Sequence, residues 1–314
     1  MKVLVTGGSG FIGSHVVDKL RDKGVGVRVF DMIIPTYRDD VEFYQGSLLD
    51  YDAVRMAMMG VDAVFHLAAV ADVNEVVEDP HFAESINVRG TINILEAARK
   101  NGEIRRIILG STTWVYSDTK QELITEETPL SPPSHLYTAT KMAAEYYCKS
   151  YENLYGLNTT ILRYGIPYGI RARDGAVIPI FVRKALKGEP ITITGDGSQY
   201  RKFVYVEDLA DGNVLALRKV AEGNIYNLEG DENITIKQIA ETIKSIIGDV
   251  EIKYVPARTV DFGGKNISNE KAKDELKWTP KTSFREGVEK YIKWFKDRDA
   301  QRKEDWDKVD ETLR

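Results

Sequence analysis

Cysteine is almost missing from this chain: Cys148 is the one copy in 314 residues, so no disulfide can form within it. Histidine is scarce as well, and His15, His66, His81 and His135 stand at spacings that match no zinc motif. Charge of one sign is also lacking. The 43 Lys and Arg residues are scattered among 48 Asp and Glu, for a formal net charge of -5. That leaves no basic field to gather nucleic acid, which is not expected as a partner. Long hydrophobic runs do not occur at the amino terminus either: Val3-Leu4-Val5 breaks at Thr6, well short of a signal peptide or membrane span. The expectation is a cytoplasmic protein without membrane association and without a metal.

With 43% hydrophobic residues the chain has enough apolar material for a sizeable core. Short β-branched runs at Val3–Val5, Val27–Phe30, Ala63–Leu67, Ile107–Leu109 and Thr159–Leu162 alternate with amphipathic stretches. The latter predict helices over Ile12–Lys23, Tyr51–Met59, Ser85–Lys100 and Leu136–Tyr155. Such alternation gives an α/β fold, a doubly wound parallel sheet covered by helices on both faces. After Ile166 the rhythm shortens, interrupted by Pro167, Gly169, Pro179, Gly188, Pro190, Gly195 and Gly197. We therefore expect a first domain over residues 1–165, rejoined at about 203–228, and a smaller α+β domain from the remainder of 166–314. The charged stretch after Trp294 reads as a solvated helix or a frayed end.

Val3-Leu4-Val5-Thr6-Gly7-Gly8-Ser9-Gly10-Phe11-Ile12-Gly13 sets a strand directly before three glycines spaced G-x-x-G-x-x-G, with a helix following. In that context Gly7, Gly10 and Gly13 let the backbone approach a pyrophosphate lying at the positive end of a helix. Asp31, 18 residues past Gly13, ends the second strand where a carboxylate accepts hydrogen bonds from an adenosine ribose 2′-hydroxyl. It would repel a 2′-phosphate, so the expected cofactor is NAD rather than NADP; Arg38 is the nearest downstream cation that softens the preference. The alternative for Asp31 is a turn or helix cap.

Tyr137 and Lys141 are four residues apart and so share a face if Leu136–Tyr155 is helical. A phenol with a pKa of about 10 is a poor base at neutral pH. A neighbouring ammonium favours the phenolate and brings it toward working pH. By itself Y-x-x-x-K is often a surface pair. Here it follows the strand ending in Gly110-Ser111-Thr112-Thr113-Trp114-Val115-Tyr116, whose hydroxyls reach the carboxyl edge of the sheet, where doubly wound folds bind ligands.

These pieces, in this order, resemble the extended short-chain dehydrogenase/reductase family, within it the NAD-dependent sugar-nucleotide epimerase/dehydratase group. The likeness spans nearly the whole chain. It continues through His66-Leu67-Ala68-Ala69, Asn87-Val88-Arg89-Gly90-Thr91, Arg163–Gly169, Gly195-Asp196-Gly197 to Arg201, and Val204–Leu209. The resemblance implies a Rossmann domain followed by a sugar-nucleotide-binding domain. It implies that Thr112 is the hydroxyl paired with Tyr137 at the substrate. It places Phe11, Ile12, Ser47, Leu48, Leu67, Ala68, Ala69, Asn87, Tyr137, Lys141 and Tyr164 with the glycines and Asp31 at the cofactor. Arg201 and Arg258 match arginines that clamp a sugar-nucleotide diphosphate, although Thr259 and Val260 replace the usual Pro-Gly before Asp261. Ser47, Ile166 and Lys202 depart from common family residues.

The shared opening step of such enzymes is oxidation at C4 to a transient 4-keto sugar, with Tyr137 taking the hydroxyl proton. Dehydratases of the group carry Asp-Glu after the hydroxyl residue, and its decarboxylases usually a Glu at the position of Trp114. This chain has Thr113-Trp114 there. The expectation is a 4-epimerase acting on a UDP-linked sugar, of the UDP-glucose/UDP-galactose or UDP-uronic-acid type. The alternatives are a dehydratase, a decarboxylase, a keto-sugar reductase, or a non-catalytic NAD-binding sensor. Family members pair through two helices, here around Ser85–Lys100 and Leu136–Tyr155, so a homodimer is expected, with Ile92, Leu95, Ala139 and Tyr147 compatible with the contact.

Overall fold

In this computed structural model, residues 1–256 and 264–313 are described, the last thirteen of them as backbone alone. Seven strands form one parallel sheet in the order Ile225–Leu228, Thr159–Tyr164, Arg106–Thr112, Ala63–His66, Lys2–Thr6, Gly26–Asp31, Glu42–Gln45. The strand order reverses between Lys2–Thr6 and Ala63–His66. At the carboxyl ends of those two strands Thr6 faces His66 in register. This reversal is the switch point at which doubly wound sheets bind ligands.

The central strands are buried along their whole length, as runs such as Ala63-Val64-Phe65-His66 and Arg106–Thr112 require when helices cover both faces. Leu4, Val64, Ile107, Leu109 and Ile161 pack there with Val54, Ile94, Leu95 and Ala98 from the covering helices. The helices themselves are Phe11–Asp22, Tyr51–Ala57, Gly90–Asn101 and Leu136–Tyr155.

Two elements differ from the sequence expectation. Glu42–Gln45 is a strand, paired in parallel with Gly26–Asp31 at the sheet edge. Its Glu-Phe-Tyr-Gln sequence is short, half-exposed and without β-branched residues, so it carries little strand signal. The expected helix at Ser85–Lys100 is broken by a π-helical turn, Ser85–Arg89, ahead of Gly90–Asn101. That turn carries the buried Asn87. One extra residue in a turn leaves the apolar period nearly unchanged, so the sequence does not display it.

The chain divides into two compact units. The first comprises residues 1–165, 207–229 and 265–279, and contains the seven-stranded sheet. Its last segment, not expected from the sequence, adds the short strand Asn266–Ile267 beside Leu123–Ile124 and the buried Trp278, whose indole N–H donates to the Asp208 carbonyl. The second unit comprises residues 166–206, 230–264 and 280–314. Within it Tyr200–Tyr205 lies between Asn233–Thr235 and Ile166–Tyr168, and Ile252–Val255 pairs with Ile191–Thr194. Tyr168, Phe203 and Phe284 pack ring against ring there. Thr235 and Gln238 form a reciprocal cap on the helix Ile236–Ile247. Among the described residues no helix is long and apolar enough to cross a membrane.

Candidate active site

The loop from Gly7 to Gly13 turns the first strand into the helix Phe11–Asp22. Gly7 holds φ at +69°, and a Cβ there would stand 2.7 Å from the backbone of Ala68. A Cβ on Gly13 would collide with the carbonyl oxygen of Gly7. Gly10 begins the helix with no side-chain cap, which leaves its first-turn N–H groups for an anion. Close-set bare backbone at a helix N-terminus fits a dinucleotide pyrophosphate. Phe11 and Ile12 are half-buried in that first turn, with Phe11 edge-on to His15.

Asp31 closes the second strand over this loop. Its Oδ2 accepts the Ser9 N–H at 3.0 Å and its Oδ1 the Ile33 N–H at 3.1 Å. Two cations of the kind that would reverse its charge preference are both committed elsewhere: Arg38 to Asp40, Asp18 and Asp22, and Arg28 to Glu42 and two carbonyls. Asp40 raises the Arg38 guanidinium pKa still further, mainly through their hydrogen bond. Ser47 caps the next turn, accepting the Leu49 N–H. Leu48 is buried against Gly90, and its carbonyl accepts from Asn93.

Leu67 and Ala68 follow the strand Ala63–His66, and both donate their N–H to Thr6 Oγ1; Ala69 is half-buried beside them. The Asn87 amide is fully engaged within the chain: Oδ1 accepts from Val70 N–H, while Nδ2 donates to the Val70 carbonyl and to Thr140 Oγ1.

Thr112 ends the strand Arg106–Thr112, and its Oγ1 caps the tight turn Thr113–Tyr116 by accepting the Trp114 N–H. Leu136–Tyr155 is helical, so Tyr137 and Lys141 share a face. Tyr137 is half-buried against Val70, Val76 and Ala83. Lys141 is buried and donates to the Gly110 carbonyl at 2.8 Å. Burial pulls its pKa down to about 8, with Glu145 opposing the shift. At pH 7, below that value, the ammonium form still prevails.

One turn further, Glu145 forms a buried pair with Arg163 at 2.7 Å and accepts from Ser111 Oγ at 2.5 Å. Arg163 donates on to Tyr116 Oη, which donates to Asn227 Oδ1. Burial pushes the Tyr116 phenol up to about 12, so it stays neutral. The i, i+4 offset from Lys141 was the available sequence signal for Glu145, but nothing local marks Arg163 as its partner.

Tyr164, expected at the cofactor, is 6% exposed and gives its hydroxyl to Asn213 Oδ1 at 2.5 Å. Its ring lies where a side chain on Gly110 would strike it. Arg201 lies in the second unit on Tyr200–Tyr205, opposite Ile234, with Nη1 donating to the Tyr200 carbonyl. Arg258 lies outside the described residues. Leu95, expected to be compatible with a subunit contact, is instead fully buried in its own chain's core, on the same helix face as Thr91 and Ala98. Tyr146, Tyr147, Leu154 and Tyr155 are the exposed large apolar side chains of Leu136–Tyr155 beyond its first residue.

The model of the NAD dependent epimerase/dehydratase family matches residues 3–228. A putative UDP-glucose 4-epimerase of Methanocaldococcus jannaschii is 35% identical over 94% of this chain and 98% of its own. A UDP-glucuronic acid decarboxylase 1 of Danio rerio is 33% identical over 94% of this chain and 72% of its own. Among solved structures, UDP-glucose 4-epimerase of Thermotoga maritima with UDP-glucose superposes with a TM-score of 0.89. It is 33% identical and covers 95% of this chain and 99% of that one.

Proposed function

This chain belongs to the NAD dependent epimerase/dehydratase family, and from that premise we propose that it is a nucleotide-sugar 4-epimerase, inverting C4 of a UDP-linked hexose or hexuronic acid through a transient 4-keto sugar. Residues 1–165 with 207–229 and 265–279 form the NAD-binding domain in this reading, and the second unit holds the nucleotide sugar. Gly7, Gly10, Phe11, Ile12 and Gly13 hold the pyrophosphate, Asp31 the adenosine ribose, and Ser47, Leu48 and Leu67–Ala69 flank the cofactor. NAD, when bound, supplies a reversible hydride acceptor at C4.

The chain's own groups manage the proton. Tyr137 Oη takes it from the C4 hydroxyl as general base. The Lys141 ammonium, fixed by the Gly110 carbonyl, favours the phenolate. Thr112, whose oxygen already accepts from Trp114, has its own hydroxyl proton to donate to the same sugar oxygen. Arg201 and Arg258 clamp the diphosphate.

The observation that carries epimerisation over elimination or decarboxylation is the chemistry around the end of the strand Arg106–Thr112. The turn after Thr112 brings Thr113 and Trp114 rather than carboxyl groups. The buried Glu145 is bound by Arg163 and Ser111, and Glu126 by the Asn227 N–H. With both of those acids committed, Tyr137 returns to the C4 oxygen the proton it removed, as the hydride goes back to C4 from the other face. A panel of nucleotide sugars analysed by NMR tests this: inversion at C4 with all carbons and the full hydroxyl count retained is expected. Loss of water or of carbon dioxide would establish the dehydratase or decarboxylase reading instead.

The protein acts as a homodimer in this proposal, paired through the helix Leu136–Tyr155 and its neighbour Gly90–Asn101. The support is the exposed Tyr146, Leu154 and Tyr155, 60%, 72% and 53% accessible on the first of these helices.

A further inference from the structure

Four buried polar side chains meet at the switch point of the sheet. Thr6 and His66 end the two strands that flank it, Thr91 stands in the helix Gly90–Asn101, and Asn87 in the π-helical turn before that helix. None is more than 3% exposed. Thr6 Oγ1 lies 2.9 Å from His66 Nδ1, and His66 Nε2 lies 3.0 Å from Thr91 Oγ1.

Counting donors leaves one arrangement. The Thr6 hydroxyl oxygen already accepts from the N–H groups of Ala68 and of Leu67, the latter shared with the Thr6 carbonyl at 3.2 Å. Its single proton must then go to His66 Nδ1, which is therefore bare. Thr91 gives its own proton to the Asn87 carbonyl at 2.6 Å, so it accepts from His66, and Nε2 carries the imidazole proton. Burial, with help from the nearby Lys141 charge, lowers the His66 pKa to about 3 and keeps the ring in this neutral form.

Beyond Thr91 the order continues. Asn87 grips both backbone groups of Val70, and its second amide proton goes to Thr140 Oγ1, which donates at 2.8 Å to the carbonyl of Tyr137. Hydrogen bonds thus lead from the backbone beside Gly7, whose absent Cβ would strike Ala68, through Thr6, His66 and Thr91 to the Asn87 backbone carbonyl, and the Asn87 side chain carries the contact on to the first turn of the helix that bears Tyr137.

We propose that His66, as the neutral Nε2–H tautomer, is a positioning residue that locks the cofactor-side segment 67–70 and the Tyr137 helix into one register. The proposal rests on the reading of the glycine loop as the NAD site. Titration or charging of His66 would place a proton between Nδ1 and Thr6 and force that hydroxyl to abandon a backbone N–H.

Two measurements test it. In ¹⁵N-histidine NMR of the wild-type protein, His66 should show protonated Nε2, bare Nδ1 and no titration between pH 8 and 5. An Nδ1–H tautomer, or a midpoint near the ordinary histidine value of about 6.5, would overturn the proposal without any appeal to activity. His66→Phe removes both bonds at nearly constant volume; His66→Gln restores a donor toward Thr91. Measured by direct binding, NAD affinity should fall about tenfold or more in His66→Phe, the equivalent of one to two hydrogen bonds. It should recover at least in part in His66→Gln. A folded His66→Phe protein that binds NAD within twofold of wild type sinks the idea. A wild-type protein that binds no NAD would instead sink the underlying reading of the loop.

Discussion

An ammonium taken out of water costs folding energy unless its surroundings replace the lost solvation. Lys141 is buried with the Gly110 carbonyl as its hydrogen-bond acceptor, and its pKa is pulled from 10.5 to about 8. Below pH 8 both folded and unfolded chains hold the proton, and the full shift counts against folding, on the order of 3 kcal/mol. Between pH 8 and 10.5 the unfolded chain binds more protons than the folded one, so that penalty fades as pH rises. Lys141→Met should therefore melt at a higher temperature than wild type at pH 7, with the advantage shrinking across that window, while turnover drops a hundredfold or more. Equal melting at pH 7 would mean that the site solvates the charge better than its burial suggests. The same protonation sets the alkaline side of catalysis: kcat/KM should decline with a midpoint near pH 8, and a limb displaced above pH 10 would take Lys141 out of the proton step. Tyr137→Phe should keep NAD affinity and lose about 10²- to 10⁴-fold in kcat, as loss of a general base does; near-normal turnover would refute the assignment. The Tyr137 and Lys141 pair was legible in the sequence because four residues make one helical turn. Thr6, His66 and Thr91 were not legible as a set, since strand register and not spacing brings them together.

Elements with strong local rules were read closely, and elements decided by neighbours were not. The strand, glycine turn and helix at residues 2–22 follow from β-branched residues, three glycines and an apolar period in succession. Glu42–Gln45 is a strand because Gly26–Asp31 offers it an edge, which no property of its own four residues announces. The π turn at Ser85–Arg89 exists where Asn87 must reach Val70 and Thr140 together, a tertiary demand that overrides helix propensity. The glycine turn has its own prediction. In Gly13→Ala the new methyl meets the Gly7 carbonyl at a distance no relaxed backbone tolerates. The variant should lose about 1–3 kcal/mol of stability as overpacked sites do, and NAD binding should fall more steeply than stability. Unaltered NAD binding, measured by fluorescence or calorimetry, would show that the loop is not a pyrophosphate cradle.

At the scale of the whole chain, the sequence indicated a change of rhythm near residue 166 and a return to the first unit. It did not show residues 265–279 rejoining that unit, because Asn266–Ile267 and Trp278 find their places through pairing and burial far from their own segment. Assembly is testable at this scale. Light scattering at micromolar concentration should give twice the chain mass, and Tyr146→Glu with Leu154→Glu should return it to one. A wild-type monomer would count against the homodimer. The interleaving of the two units has a bearing on synthesis. A ribosome delivers residues 1–165 well before Ile225–Leu228, the strand that completes the sheet beside Thr159–Tyr164. Until then the nascent first unit carries an open parallel edge, with Asn227 not yet made to receive Tyr116. Its sheet can close only after the whole of the second unit's first segment has already emerged, so the two units cannot mature strictly one after the other.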